Sequence, residues 1–103
     1  MKIVGVTACT IGIAHTYLAQ QKLQDAAEAA GDQIKIETQG TIGIENALTD
    51  EDIAGADVVI LAVDIKIADE DRFKGKKVVR VSTDTAIKSP NKLIEKLHEI
   101  VSK

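Results

Sequence analysis

The chain has 103 residues, of which 45% are hydrophobic and only Tyr17 and Phe73 are aromatic, so we expect a single domain over residues 1–103 with an aliphatic core. Its 13 basic and 16 acidic side chains are interleaved and give a formal net charge of −3, which excludes a nucleic-acid binder that relies on a basic field. The sequence contains no stretch of about 18 apolar residues, so it predicts no membrane-spanning helix.

Cys9 is the only cysteine, so the chain cannot form an internal disulfide. A lone thiol is typical of a reducing compartment, which predicts a cytoplasmic location. The apolar N-terminal segment is interpreted as a buried strand and not as a signal peptide, because β-branched residues dominate it and a helical pattern follows directly.

The first part of the chain changes from a strand pattern to a helix pattern and back. KIVGVTA, residues 2–8, is a β-branched apolar run typical of a strand buried on both faces. Apolar residues then recur at helical spacing from Ile13 to about Ala30, and Gly31 is well placed to end that helix. QIKIET, residues 33–38, alternates polar and apolar residues, as a half-covered or edge strand does.

The second part continues this alternation. Thr49, followed by two acidic residues, predicts the start of a short helix. ADVVILAVD, residues 56–64, is the strongest strand pattern and predicts a central position in a parallel sheet. DEDRFKGKK, residues 69–77, predicts a solvated charged loop or one helical turn, KVVRVS a fourth strand, and Pro90 the start of a final amphipathic helix.

Strands separated by helices predict an α/β fold with a mostly parallel four-stranded sheet flanked by helices, a Rossmann-like or flavodoxin-like three-layer sandwich. In such sheets ligands bind beyond the carboxyl ends of the strands. Cys9, Gln39 with Gly40, Asp64 and Ser82 all lie at or just after predicted strand ends. We therefore expect them to share one edge of the molecule, where function should reside.

TACTIGIAHTY, residues 7–17, joins the first strand to the first helix. Free backbone N–H groups and the positive end of the helix dipole stabilise an anion there, so this segment favours the nucleophilic thiolate of Cys9. The same donors would hold a phosphoryl group on the sulfur, with Gly12 allowing close approach of the backbone and Thr10 and Thr16 offering hydroxyls. The simpler alternative for Cys9 is a small buried hydrophobic residue.

The other polar candidates have both functional and structural interpretations. His15 either faces a bound phosphate or only caps the helix or lies in solvent, and Gln39 either lines the active edge or is an ordinary turn residue. Asp64 is interpreted as a loop cap, because a carboxylate beside a phosphocysteine would repel it. His98 has no partner within local reach along the chain and is expected at the surface. Two histidines and one cysteine, expected far apart, predict no metal site.

The spacing from Cys9 to His15 invites comparison with cysteine phosphatases, which have an arginine in the equivalent loop. Arg72 and Arg80 are the only arginines, and neither lies in this loop. Without a bidentate cation the loop should hold a phosphoryl group less tightly, which favours a carrier. A small cysteine-dependent phosphatase and a non-catalytic regulatory or interaction module remain the alternatives.

Three segments carry a family resemblance: CTIGIAHT at residues 9–16, ETQGTIGIEN at residues 37–46 and ADVVILAVDIKI at residues 56–67. They resemble the fructose-type enzyme IIB proteins of the bacterial phosphoenolpyruvate-dependent sugar phosphotransferase system (PTS). The resemblance extends into DRFKGKKV and the final helix. The family's usual loop has a proline directly after the cysteine, whereas Thr10 stands there in this chain.

The resemblance implies a phosphoryl relay and thus a phosphotransferase. Cys9 would accept a phosphoryl group from the phosphohistidine of a IIA protein or domain and pass it to a fructose-like sugar bound by a membrane IIC partner. The relay needs no metal or cofactor, and we expect no nucleic-acid partner and no direct membrane insertion. The implied phosphate-binding residues are Thr10, Ile11, Gly12, Ile13, Ala14, His15 and Thr16.

Overall fold

The computed structural model describes residues 1–10, 13–40 and 43–102, in which strands and helices alternate. In chain order the elements are β1 (Lys2–Ala8), α1 (Ile13–Ala29), β2 (Gln33–Gly40), β3 (Gly43–Glu45), α2 (Asp50–Ala54), β4 (Val58–Val63), a 3₁₀ turn (Glu70–Phe73), β5 (Val78–Val81), α3 (Thr83–Lys88) and α4 (Pro90–Val101).

The strands form one sheet in the order β3-β2-β1-β4-β5. β1 pairs in parallel with β2 and β4, and β4 pairs in parallel with β5, whereas β3 is antiparallel to β2. The mostly parallel α/β sheet is therefore confirmed, but it has five strands and not the four expected. β3 has three residues and all of them are exposed, so it has no apolar pattern by which to predict a strand.

β2 is an interior strand, since it lies between β1 and β3. Its middle residues Ile36, Glu37 and Thr38 are buried in succession, although the alternating sequence predicted one covered face or an edge. A carboxylate and a hydroxyl are thus buried beside an isoleucine, and each needs a polar partner in the fold.

Two apolar clusters cover the two faces of the sheet. One joins the sheet to α1, α3 and α4 through residues such as Leu23, Ile60 and Leu97. The other joins it to α2 and the 3₁₀ turn through Ile53 and Phe73. The molecule therefore has the three layers predicted.

Element boundaries follow the local signals in the sequence. Gly31 has φ of +82°, and the Asp32 amide donates to the Ala27 carbonyl at 2.9 Å, which together close the end of α1. Thr49 caps α2 in a reciprocal pair with Asp52. Pro90 is the first residue of α4, as predicted.

β1 and β4 approach each other closely at Gly5. A Cβ atom there would lie 2.7 Å from the Ile60 carbonyl oxygen and 2.8 Å from Ile60 Cγ2. Both separations are shorter than ordinary carbon contacts, so only glycine permits this spacing between the two strands.

Candidate active site

The carboxyl ends of β1, β2, β4 and β5 lie on one edge of the sheet, because these four strands are parallel. We call this the carboxyl edge. Cys9 follows β1, Asp64 follows β4 and Ser82 follows β5, while Gln39 and Gly40 end β2. The shared edge predicted for these residues is therefore present.

Cys9 lies at this edge and is largely enclosed, with 8% of its surface exposed. Thr83 Oγ1 lies 3.7 Å from its sulfur. The Asp64 amide donates to the Ala8 carbonyl at 3.0 Å, which joins the ends of β1 and β4 beside the thiol. Thr83 and Asp64 are therefore polar neighbours of the sulfur.

Asp64 caps the start of α3, which agrees with the loop-capping role expected from the sequence. Its Oδ1 accepts a hydrogen bond from the Thr83 amide at 3.0 Å, and its Oδ2 accepts one from Thr83 Oγ1 at 2.5 Å. Burial raises the pKa of the Asp64 carboxyl, but these bonds, with Cys9 and His15 nearby, outweigh burial and lower the pKa below its ordinary value. Asp64 is therefore ionised at neutral pH.

His15 is the third residue of α1, and 21% of its side chain is exposed. Its Nε2 lies 3.3 Å from Asp84 Oδ1 of α3. Within the described part of the chain, this enclosed nitrogen makes no hydrogen bond. The ring is therefore directed at the carboxyl edge and is not a freely solvated surface group.

One ligand atom from each of Cys9, His15 and Asp64 lies within 4.8 Å of the other two. The sequence analysis expected the cysteine and the histidines to lie far apart, and for His15 this is wrong. His15 is in the first turn of α1 and lies close to Cys9, which follows β1. The carboxyl edge thus gathers a thiol, an imidazole and a carboxylate.

His98 lies elsewhere, at the surface as expected, and its partner is a residue distant in sequence. Its Nε2 is 2.6 Å from Asp32 Oδ2, and Asp32 Oδ1 accepts a hydrogen bond from the terminal amine of Met1 at 3.0 Å. Burial raises the pKa of the Asp32 carboxyl, but the bonds from the amine and His98 outweigh it and lower the pKa. This cluster lies at the opposite, amino edge of the sheet, beside the starts of β1 and β2.

The remaining residues of the predicted phosphate loop differ in exposure. Thr10 and Ala14 are exposed, whereas Thr16 is fully buried. Ile13 begins α1. Ile11 and Gly12 lie outside the described residues. Phosphate contacts of this loop therefore stay a prediction.

The helical turn that the sequence offered as one alternative is present as the 3₁₀ turn, but its Arg72 is paired with a carboxylate and is not merely solvated. Its NH1 and NH2 groups donate to Glu37 Oε1 at 2.9 Å and Oε2 at 2.6 Å. The Glu37 side chain is only 1% exposed and also accepts from the Leu48 amide at 3.0 Å. Burial raises the pKa of the Glu37 carboxyl, but Arg72 and the other donors outweigh it and lower the pKa. The pair fastens the 3₁₀ turn to β2.

Gln39 makes structural hydrogen bonds at the same edge. Its Oε1 accepts from the Ala68 amide at 2.9 Å, and its Nε2 donates to the Ala68 carbonyl at 3.2 Å and to Glu37 Oε2 at 2.8 Å. Both ends of the amide are thus engaged. Gln39 holds the segment after β4 against β2, while the adjacent Gly40 is half-buried.

Sequence reasoning missed Thr83 and the partner of Arg72. Ser82 accepts a hydrogen bond from the Thr85 amide and caps α3, and this serine before a short polar run is a local signal that predicts a helix start. Arg72 and Glu37 lie 35 positions apart, so no local pattern joins them.

Comparison with known proteins agrees with this architecture. Residues 4–96 match the family model described as PTS system, Lactose/Cellobiose specific IIB subunit. The fructose-like EIIB component 2 of Escherichia coli K12 is 52% identical over 96 residues, which cover 93% of this chain and 91% of that protein.

Two further proteins extend the comparison. A crystal structure of a domain from the fructose-specific IIABC component of Borrelia burgdorferi superposes with a TM-score of 0.90 at 54% identity, covering 95% of this chain and 93% of that one. The fructose-specific EIIB'BC component of Vibrio cholerae is 48% identical over 87 residues, which cover 84% of this chain but 15% of that protein.

The helices of the described residues include none that is long and apolar enough to cross a bilayer. The family match spans nearly the whole chain, and the relatives share both sequence and fold with it. The chain therefore belongs to the IIB family of the sugar phosphotransferase system and is a fructose-like IIB component.

Proposed function

We propose that this chain is a cytoplasmic phosphoryl carrier whose Cys9 accepts a phosphoryl group from a IIA phosphohistidine and passes it to a fructose-like sugar held by a membrane IIC partner. The E. coli relative is named a fructose-like EIIB component. The names of the V. cholerae and B. burgdorferi proteins join the B part to C, or to A and C, in one component. These names support IIA and IIC as the two partners.

The observation that carries the proposal is the position of Cys9 between the end of β1 and the start of α1. α1 has 17 residues and no acidic residue in its first turn, so the positive end of its dipole is not neutralised by its own side chains. Thr83 Oγ1 adds a hydroxyl 3.7 Å from the sulfur. Free helix amides and a hydroxyl are groups that hold a phosphoryl group attached to the sulfur.

The transfer consists of two displacements at phosphorus. In the first, the Cys9 thiolate attacks the phosphohistidine, the S–P bond forms, the P–N bond breaks and the electron pair returns to the IIA imidazole. In the second, a sugar hydroxyl oxygen attacks, the O–P bond forms, the S–P bond breaks and the hydroxyl proton leaves to solvent or a base. Positioning and charge provide most of the catalysis in such reactions.

Asp64 suits a carrier that must release its group. Its low pKa keeps the carboxylate ionised, and it lies close to Cys9. Negative charge beside a phosphocysteine raises the free energy of that state. The carboxylate would therefore favour onward transfer over storage.

The arginines argue against a phosphatase. Arg72 is paired with the buried Glu37, and Arg80 is paired with Glu70. Both guanidinium groups are thus engaged by carboxylates, whereas a phosphatase needs such a fork around its phosphate.

Labelled phosphohistidine on IIA tests the proposal directly. We expect label on Cys9 that persists until IIC and sugar are added, and we expect Cys9→Ser to slow labelling by roughly 10³-fold or more, as loss of a nucleophile does. Circular dichroism and the urea midpoint of the variant check that it remains folded.

Two results would contradict the carrier. Prompt release of inorganic phosphate without sugar would indicate a phosphatase. Absence of label on the folded wild-type protein would indicate a non-catalytic module.

A further inference from the structure

The cluster of Cys9, His15 and Asp64 has the composition of a transition-metal site. The three side chains offer a thiolate, an imidazole and a carboxylate, and one ligand atom from each lies within 4.8 Å of the others. They come from three separate positions in the fold, the end of β1, the start of α1 and the end of β4. Three different donors therefore converge on one point.

Hydrogen bonds hold the Asp64 carboxylate in place, as they hold many metal ligands. Each of its carboxylate oxygens accepts one hydrogen bond from Thr83, at 3.0 Å and 2.5 Å. A carboxylate oxygen has more than one lone pair, so each can still coordinate a cation. Hydrogen bonds of this kind hold the first ligands of metal sites in place.

The imidazole of His15 can bind a cation without first losing a hydrogen bond at its Nε2. Within the described residues that nitrogen has no hydrogen-bond partner, although it is enclosed. Asp84 Oδ1 lies 3.3 Å from it and could accept the ring proton when the other nitrogen binds a cation. A carboxylate behind a coordinating imidazole is a common arrangement in zinc sites.

Ligand type and spacing select the class of cation. Thiolate and imidazole ligands favour Zn²⁺ and related ions over Mg²⁺ or Ca²⁺. Tetrahedral Zn²⁺ at bond lengths of about 2.0–2.3 Å places its ligand atoms roughly 3.5 Å apart. The three ligand atoms lie within 4.8 Å of one another here. Side-chain movements of up to about 1 Å therefore bring them to the spacing that Zn²⁺ needs.

We propose that Cys9, His15 and Asp64 bind a zinc-class divalent cation, and that the bound cation blocks phosphoryl transfer. Cation binding displaces the thiol proton and occupies the electron pair with which sulfur would attack phosphorus. Phosphorylated Cys9 in turn lacks the thiolate that the cation needs. The metal-binding part stands on the geometry alone, whereas the inhibition rests on the proposed function.

Cobalt titration of the full chain after chelator treatment tests the binding. Co²⁺ should give a thiolate-to-cobalt absorption band at one equivalent, and Zn²⁺ should remove it by displacement. His15→Gln and Asp64→Asn should each weaken Zn²⁺ binding by at least about tenfold. The chain offers matched controls at the amino edge, His98→Gln and Asp57→Asn, which should bind as the wild type does.

Two binding results would overturn the site. One is absence of the cobalt band in the wild type. The other is equal Zn²⁺ affinity in the wild type and in both His15→Gln and Asp64→Asn, which would show a complex of the thiol alone. Because Asp64→Asn could disturb α3, His15→Gln with a wild-type circular dichroism spectrum is the deciding variant.

Labelling by phosphorylated IIA separates this inference from the proposed function. Zn²⁺ should slow labelling of Cys9, a chelator should restore it, and His15→Gln should need at least about tenfold more Zn²⁺ for the same inhibition. A cobalt band without any metal-free labelling would retain the metal site and overturn both the inhibition and the carrier. Normal labelling that saturating Zn²⁺ leaves unchanged would overturn the inhibition and retain the carrier.

Discussion

Each edge of the sheet places an aspartate near a histidine, but the two pairs are built differently. At the amino edge, the oxygens of Asp32 accept from His98 and from the terminal amine. At the carboxyl edge, the oxygens of Asp64 accept from Thr83, while the nearby His15 Nε2 makes no hydrogen bond within the described residues. The histidine at the amino edge is therefore hydrogen-bonded to its aspartate, whereas His15 Nε2 at the carboxyl edge makes no such bond within the described residues.

This difference indicates that the amino edge contributes to the stability of the fold and the carboxyl edge to the transfer reaction. A histidine with a ring nitrogen hydrogen-bonded to a buried carboxylate contributes to folding, whereas a histidine without such a bond can respond to a ligand. We therefore expect substitutions at the amino edge to change the free energy of unfolding, and substitutions at the carboxyl edge to change transfer.

Asp32→Asn should give the largest effect on stability. The amide cannot balance the positive charge of the enclosed Met1 amine, so the free energy of unfolding should fall by about 3 kcal/mol. Urea denaturation measures this, and the transfer rate of the folded variant should be unchanged. Asp57→Asn, at the same edge but exposed, is the matched control. A loss no larger than that of the control would break the contrast between the edges.

The pH dependence of Asp32→Asn should sharpen the same contrast. The folded pKa of Asp32 is lowered from its ordinary 3.8, so its stabilisation is complete above that value and is lost as pH falls through the folded pKa. Below about pH 4, this carboxyl should contribute a slope of up to about 1.4 kcal/mol per pH unit. Unfolding curves from about pH 5 to pH 2 should therefore be steeper for the wild type than for Asp32→Asn. Parallel pH profiles would contradict the assignment.

Thr83→Val tests the carboxyl edge. It removes the hydroxyl near Cys9 and one of the hydrogen bonds to Asp64, so labelling of Cys9 should slow roughly tenfold, which is the equivalent of about one hydrogen bond. The control is Thr85→Val, the same change at an exposed position of the same helix. Equal rates for the two variants, measured on folded protein, would show that the hydroxyl at position 83 has no part in transfer.

Asp52→Asn should have the smallest effect. The hydrogen bond from Lys35 is the main cause that lowers the pKa of Asp52 to about 2, but this ion pair is accessible to water and is screened. We expect the Tm to change by no more than about 2 °C, less still at high salt. A change as large as that of Asp32→Asn would mean that the low pKa, and not burial, determines the stabilisation.

The sequence predicted those parts of the fold that depend on local signals. The buried runs of β1 and β4, the glycine after α1 and Pro90 at the start of α4 are all present where expected. β3 could not be predicted in this way, because its three exposed residues owe their strand geometry to pairing with β2. α3 was missed although Ser82 caps it.

The candidate site was predictable in position but not in its contacts. Parallel strand ends brought Cys9 and Asp64 to one edge, as topology requires. The convergence of His15 on them is a tertiary contact, and the bond between Arg72 and Glu37 joins segments distant in sequence. Such side-chain contacts are produced by tertiary packing, which the hydrophobic periodicity of the sequence does not encode.

The lack of a side chain at Gly5 affects more than its own strand. Cys9 directly follows the strand that contains Gly5, and Asp64 directly follows the strand against which Gly5 packs. The methyl group of an alanine at this position would push β1 and β4 apart. The thiol would then move relative to the carboxylate. The distance between the thiol and the carboxylate thus depends on a glycine that lies four residues before Cys9 in the sequence.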